Sequence, residues 1–184
     1  MMLSRLLLAA MLALPVAAMA EDVDMVAMFA TADQNGRTGL ARKTKPVDAR
    51  PATPGEIIVT VIAGEGVETR SKPAEAGDYV VRNRCPETGN EQYLVKAAKF
   101  ADRYAVDGAP DAEGWASYVP RGQKMGYFRI LDGAGPYSFT APWGEPMVAK
   151  SGDAILRNPD DPRDVYRVAG ASFACSYDII RPAP

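Results

Sequence analysis

The chain has 184 residues, a formal net charge of −2 and no histidine. The lack of histidine excludes Ser-His-Asp catalysis, Cys-His catalysis and His-ligated metal sites, and two cysteines alone make no zinc site. The near-neutral balance of 21 basic and 23 acidic side chains argues against nucleic acid as the main partner. We therefore expect neither a bound metal nor a cofactor.

Residues 1–20 have the features of a secretory signal peptide. Arg5 supplies the charged region, residues 6–16 form the apolar region, and Ala18-Met19-Ala20 fits a small-x-small cleavage site. The apolar run is too short to span a membrane, and no second such run follows it. The sequence therefore predicts cleavage after Ala20 and a periplasmic or secreted protein with no membrane span.

Residues 21–53 are predicted to form a flexible or extended leader. Three prolines between residues 42 and 54 favour an extended edge segment over a helix. Residues 56–63 then read Glu-Ile-Ile-Val-Thr-Val-Ile-Ala, which is rich in β-branched side chains and apolar on both faces. This composition predicts a central strand of a sheet.

One motif occurs twice in the chain. Gly77-Asp78 begins the stretch Gly-Asp-Tyr-Val-Val-Arg-Asn, and Gly152-Asp153 begins the stretch Gly-Asp-Ala-Ile-Leu-Arg-Asn. Gly-Asp favours a tight turn, and the alternation after it is typical of a strand. In each copy a polar loop follows, and Tyr93 or Tyr166 leads the predicted returning strand of a hairpin.

A short helix is predicted after each hairpin, because residues repeat at the spacing i, i+3, i+4 and i+7. Two related modules, each a small antiparallel sheet or hairpin with one short helix, imply an α+β, β-rich fold with pseudo-twofold symmetry. We assign residues 54–104 to module 1, 105–120 to a linker and 121–184 to module 2, with both modules in one globular domain. The helical positions are Ala97, Phe100, Ala101 and Tyr104, and then Gly170, Phe173, Ala174 and Tyr177.

The order of these motifs resembles the PGDYG-type proteins of bacteria and phages. The likeness covers roughly residues 42–180 and includes residues 139–147, which are similar to the segment that such proteins carry before the second Gly-Asp. Both copies lack the namesake proline, since Ala76 and Ser151 stand in its place. The family is uncharacterised, so the resemblance implies a fold and supplies no catalytic residues.

Four repeated polar side chains are candidate functional residues. Asp78 and Asp153 could be the paired carboxylates of a hydrolase, although a hydrogen bond within each turn would also explain them. Arg82 and Arg157 each lie one residue before a predicted strand end. They could hold an anionic ligand at a seam between the modules, or they could be solvated or paired with a neighbouring aspartate.

Trp143 and the two cysteines are further candidates. Trp143 lies in the loop Ala-Pro-Trp-Gly-Glu-Pro, where it could stack on a sugar or a peptide, or cap the core. Cys85 and Cys175 form an even pair, which suggests a disulfide between the modules in an oxidising compartment. One buried thiol and one exposed thiol are the alternative.

These features together predict a periplasmic protein that binds an unidentified small ligand or an envelope protein without catalysing a reaction. One alternative is a carboxylate-dependent hydrolase of envelope glycans, which would need acidic side chains converging in a cleft. The other is a structural or inhibitor-like accessory factor, which would present a flat surface with an exposed apolar patch.

Overall fold

A computed structural model of the protein describes residues 19–184. Most of the predicted signal peptide, residues 1–18, lies outside this range. The described chain is rich in β-strands and has short helices, as the α+β prediction requires. Within the described range, no helix has both the length and the apolar character that a membrane crossing needs.

The elements of the described range are short. The helices are α1 (Met25–Gln34), α2 (Ala97–Arg103), α3 (Gly170–Ser176) and the 3-10 turn η1 (Pro86–Thr88). The strands are β1 (Glu21–Asp22), β2 (Gly39–Lys43), β3 (Val47–Pro51), β4 (Val59–Ile62), β5 (Gly66–Arg70), β6 (Tyr79–Asn83), β7 (Gln92–Val95), β8 (Tyr104–Val106), β9 (Ala116–Pro120), β10 (Lys124–Arg129), β11 (Tyr137–Thr140), β12 (Pro146–Ala149), β13 (Ala154–Asn158), β14 (Asp161–Val168) and β15 (Tyr177–Arg181).

Two five-stranded antiparallel sheets make up most of the molecule. Sheet I has the strand order β7-β6-β3-β9-β8, and sheet II has the order β14-β13-β10-β2-β15. The chain crosses from sheet II to sheet I between β2 and β3, and it crosses back between β9 and β10. Each sheet therefore contains a strand that is joined by a short connection to the other sheet.

The structure corrects two predictions about the first third of the chain. Residues 21–53 contain α1, β2 and β3 and are not a flexible leader, because Ala41, Val47 and Ala49 are fully buried in the two large sheets. The predicted central strand at residues 56–63 is β4, which pairs only with β5 in a two-stranded hairpin among the described strands. Its Val61 is 50% exposed, since β-branched composition favours a strand without choosing its neighbours.

Each short helix places an aromatic pair on its sheet, as the repeated spacing predicts. Phe100 of α2 stacks with Tyr104 at 5.2 Å between ring centroids and packs with Val81 of β6. Phe173 of α3 stacks with Tyr177 at 5.1 Å. These aromatic contacts bury apolar surface on both helices, which are too short to be stable alone.

The predicted disulfide is confirmed. Cys85 and Cys175 are bonded at 2.10 Å between the sulfur atoms, with their Cα atoms 6.1 Å apart. The bond joins the loop after β6 to α3 and spans 90 residues of sequence. It therefore links the part of the chain that follows β6 of sheet I to the helix between β14 and β15 of sheet II.

Replacing both cysteines with alanine should lower the free energy of unfolding by about 2–4 kcal/mol, because the unfolded chain loses a long covalent loop. Urea denaturation followed by circular dichroism measures this change. Reducing the wild-type protein should cause a similar loss, whereas equal midpoints for the oxidised and reduced protein would contradict a stabilising disulfide.

Candidate functional site

A cavity of about 440 Å³ lies where the two large sheets meet. Its walls come from β7 and α2 on one side and from β14 and α3 on the other. The β4–β5 hairpin and the loop that carries Trp143 complete the walls. This volume is within the range of small-molecule sites, which usually lie between structural units.

Five residues line the side of the cavity that adjoins a second, smaller cavity, and we call this side the floor. A second cavity of about 50 Å³ shares them as lining, so they separate the two spaces. Two are cationic, three are phenolic and none is acidic. The floor residues are Lys43, Arg103, Tyr104, Tyr166 and Tyr177.

Four tyrosines lie at this side of the cavity. The hydroxyls of Tyr93 and Tyr104 are 3.2 Å apart, and Tyr166 and Tyr177 are both floor residues. Burial raises the pKa of Tyr93 and of Tyr177 well above the usual phenol value, and it also raises the pKa of Tyr166. These phenols therefore stay protonated at neutral pH and remain hydrogen-bond donors.

Lys43 brings a positive charge to the floor. Its Nζ donates to Asn83 Oδ1 and to the Tyr93 hydroxyl, each at 2.8 Å. The ammonium also lies 5.4 Å from the centre of the Tyr93 ring and 5.8 Å from that of Tyr104. Neutral groups and aromatic faces thus hold this cation, which forms no ion pair with any residue of the described range.

Glu91 is a buried carboxylate of the cavity lining, and all its hydrogen-bond donors in the described range are neutral. It accepts hydrogen bonds from Asn83 Nδ2 at 2.7 Å, from Ser172 Oγ at 2.6 Å and from the Thr88 hydroxyl. Ser172 belongs to α3, so one of these bonds crosses from sheet II to the sheet I side. Asn83 also connects Glu91 to Lys43, because its Oδ1 accepts from Lys43 and its Nδ2 donates to Glu91.

Asp164 on β14, in contrast to Glu91, is held mainly by cationic donors. It accepts from Lys99 Nζ at 3.0 Å and from Arg103 Nη2 at 3.1 Å, both on α2, and from Asn158 Nδ2 at 3.2 Å. Burial alone would raise the pKa of Asp164, but the hydrogen bond from Lys99 and the charge of Arg103 outweigh it and lower the pKa. Each of the helices α2 and α3 therefore bonds a carboxylate that lies in, or next to, a strand of the other sheet.

Arg167 on β14 fastens the β4–β5 hairpin to the cavity wall. Its side chain is 2% exposed and donates to Asp153 at 2.6 Å, to Glu65 at 2.7 Å and to Glu68. Burial raises the pKa of Glu68 even though the charge of Arg167 opposes this. The guanidinium thus balances acidic groups from two parts of the chain in a buried position.

Asp78 and Asp153, the predicted catalytic alternative, are both part of the scaffold. Asp78 accepts from the backbone N–H of Glu75 at 2.8 Å and of Ala97 at 3.2 Å. Asp153 accepts from the backbone N–H of Lys150 at 2.7 Å and of Gly170 at 3.1 Å. Their carboxylates are occupied by these turns and lie outside the cavity lining, so a hydrolase built on them is not supported.

The two predicted binding arginines also lie outside the cavity lining. Arg82 pairs with Asp48 at 3.1 Å, and its guanidinium lies 4.3 Å from the centre of the Trp115 ring. Arg157 pairs with Asp33 at 2.8 Å and lies 4.3 Å from the Phe29 ring. Both arginines therefore agree with the alternative of an ion pair with an aspartate, because acidic and aromatic side chains from other elements already contact them.

Trp143 is the predicted candidate that the structure places in the cavity wall. Its ring is 38% exposed and lies 5.8 Å from the ring of Tyr166. Lys43 and Arg103 also line the cavity and were not predicted as site residues. The repeated tyrosines were predicted only as parts of strands and helices, although their occurrence in both motifs could have indicated a shared site.

Within residues 19–184, no three His, Cys, Asp or Glu side chains are grouped as they would be to hold a metal ion. No family model, curated protein or solved structure matches this chain. The geometry of the cavity is therefore the main basis for a functional proposal.

Replacing Asp164 with asparagine should destabilise the protein by about 1–3 kcal/mol at pH 7, because two cations lose a buried acceptor. The pKa of Asp164 is lower in the folded state than in the unfolded state, so its stabilisation is present above about pH 4 and is lost as the pH falls further. Urea denaturation at pH 7 and pH 3 should show the difference between wild type and variant shrinking at pH 3. Asp178→Asn, at an exposed position, is the control, and a pH-independent difference would contradict this account.

Replacing Arg167 with methionine should lower the free energy of unfolding by about 3–5 kcal/mol, because buried carboxylates lose their cation. Arg163→Met removes an arginine from the same strand whose side chain is 89% exposed, and it should change stability by less than about 0.5 kcal/mol. Thermal and urea unfolding measure both variants. Similar losses in both would show that the buried cluster has no special role.

Proposed function

We propose that this chain is a non-enzymatic binding protein of the periplasm or exterior that takes a small ligand into the cavity between its two large sheets. The cavity is the observation that carries the proposal. It combines a suitable volume, an accessible tryptophan and several polar groups, which is the usual composition of a ligand site. A concave site favours a small ligand over the flat contact expected of a protein partner.

The proposed location outside the cytoplasm depends on two features. Residues 1–20 have the character of a signal peptide, and a disulfide persists best in an oxidising compartment. We extend the proposal to membership of the PGDYG-type family, whose motif order the chain resembles.

We also propose that the chain is a duplication with the cavity near a pseudo-twofold axis. The strands of the repeated motifs have corresponding positions in the two sheets. In sheet I, β7 is at one edge, β6 is next to it and β8 is at the opposite edge; in sheet II, β14, β13 and β15 have these positions. Two contacts also correspond: Ser172, the third residue of α3, bonds Glu91, and Lys99, the third residue of α2, bonds Asp164. This reciprocity supports a ligand site shared by two related halves.

A binding screen tests the proposal. Ligand-observed NMR with a fragment library should find binders of the wild-type protein, and Trp143→Ala should weaken them about tenfold because a central aromatic contact is lost. Trp115→Ala removes the other tryptophan, which packs on Arg82 away from the cavity, and should leave binding unchanged. The absence of binders, or equal weakening by both variants, would overturn the proposal.

A further inference from the structure

We infer that the ligand of this cavity is an acidic sugar, either a uronate or a sugar phosphate, whose anionic group is received at the floor by Lys43 and Arg103. This inference depends on the proposed ligand cavity and adds the chemical class of its occupant. It uses three properties of the site: the charge of the floor, its free hydrogen-bond donors and the composition of the walls.

The charge at the floor favours an anion. Of its five residues, Lys43 and Arg103 are cations and none is a carboxylate. Arg103 shares its acidic neighbour Asp164 with Lys99, so two cations face one carboxylate there. Lys43 has no bonded acid among the described residues; Asn83 links it to the lining residue Glu91, whose oxygens accept hydrogen bonds from neutral donors.

Other charged groups line the cavity away from the floor. Glu68 belongs to the Arg167 cluster, and Lys96 is paired with Glu75 and Asp78. Two further acidic groups line the cavity. Glu145 lies in the Trp143 loop just before β12, and Asp161 is the first residue of β14. The cavity as a whole is balanced in charge, and its positive end is the floor.

The floor also keeps unused donors for an oxygen anion. An ammonium has three N–H groups, and Lys43 commits two of them to Asn83 and Tyr93. A guanidinium has five, and Arg103 commits one to Asp164 within the described range. A carboxylate or phosphate could accept both kinds of donor, and charge-assisted bonds in a partly desolvated site are strong.

The walls suit a sugar ring attached to that anion. Trp143 offers an aromatic face beside Tyr166, and pyranose rings present an apolar face that can pack on it. Hydroxyl and carboxylate side chains elsewhere in the cavity lining could bond the sugar hydroxyls. They are Thr60, Thr69, Ser71, Glu145, Asp161 and Ser176.

Three probes that share one pyranose ring test the inference. Glucuronate, glucose 6-phosphate and glucose are titrated into the full protein by saturation-transfer NMR at low salt. At least one of the two anions should bind about tenfold more tightly than glucose, because it gains a charge-assisted contact. The tighter anion of the two distinguishes a uronate site from a phosphate site.

Lys43→Gln should remove most of this preference and leave glucose binding nearly unchanged, whereas Lys43→Arg should keep it. Lys124→Gln removes an exposed lysine of β10 outside the cavity lining and is the matched control. If Lys43→Gln fails to fold, salt provides a second measurement on the wild type. Raising the ionic strength should weaken the anion and not glucose.

Equal affinity for glucose and both anions would overturn the inference while leaving the ligand cavity intact. Failure of all three probes would also overturn it, and the fragment screen would then decide separately whether the cavity binds anything. A preference for anions that survives in Lys43→Gln would assign the charge recognition to another part of the surface and would likewise contradict the inference.

Discussion

The two buried carboxylates of the Gly-Asp turns are the constraint on which the rest of the fold depends. Each accepts two backbone N–H groups, one from its own turn and one from the first residue of the following short helix. A single carboxylate therefore fixes where a strand begins and where a helix lies on it. Burial would raise the pKa of Asp78, but the backbone hydrogen bond from Glu75 and the contact with Lys96 outweigh it and lower the pKa.

The position of the helices then determines the junction between the sheets. Because α2 and α3 are anchored at their first residues, each presents polar side chains to the junction, where Arg103 bonds Asp164 and Ser172 bonds Glu91. The disulfide adds a covalent link between the same two regions. Polar contacts at the junction leave a space that side chains do not fill, and that space is the cavity. The cavity is thus a consequence of how the two large sheets are held together.

The sequence predicted the local structure better than the assembly. Gly77 and Gly152 have φ angles of +89° and +85°, so the turn signal in each motif was physically sound. The Phe100 and Phe173 spacing likewise placed both helices. Strand order could not be derived, because β4 (Val-Thr-Val-Ile) has the stronger strand composition, yet tertiary pairing makes β3 (Val-Asp-Ala-Arg-Pro) the central strand. Lys43 could not be predicted as a cavity residue for the same reason. It lies far in sequence from Tyr93, and the two become neighbours only because β2 of sheet II packs near β7 of sheet I.

Native mass spectrometry of the protein purified from its native source without denaturant tests the central claim most directly. The account predicts a population that carries one bound molecule of a few hundred daltons, matched to a cavity of about 440 Å³. That adduct should disappear in the Trp143→Ala protein and persist in the Trp115→Ala protein. Only the mass of the bare chain in every preparation, or an adduct that both variants retain equally, would contradict a ligand site between the two sheets.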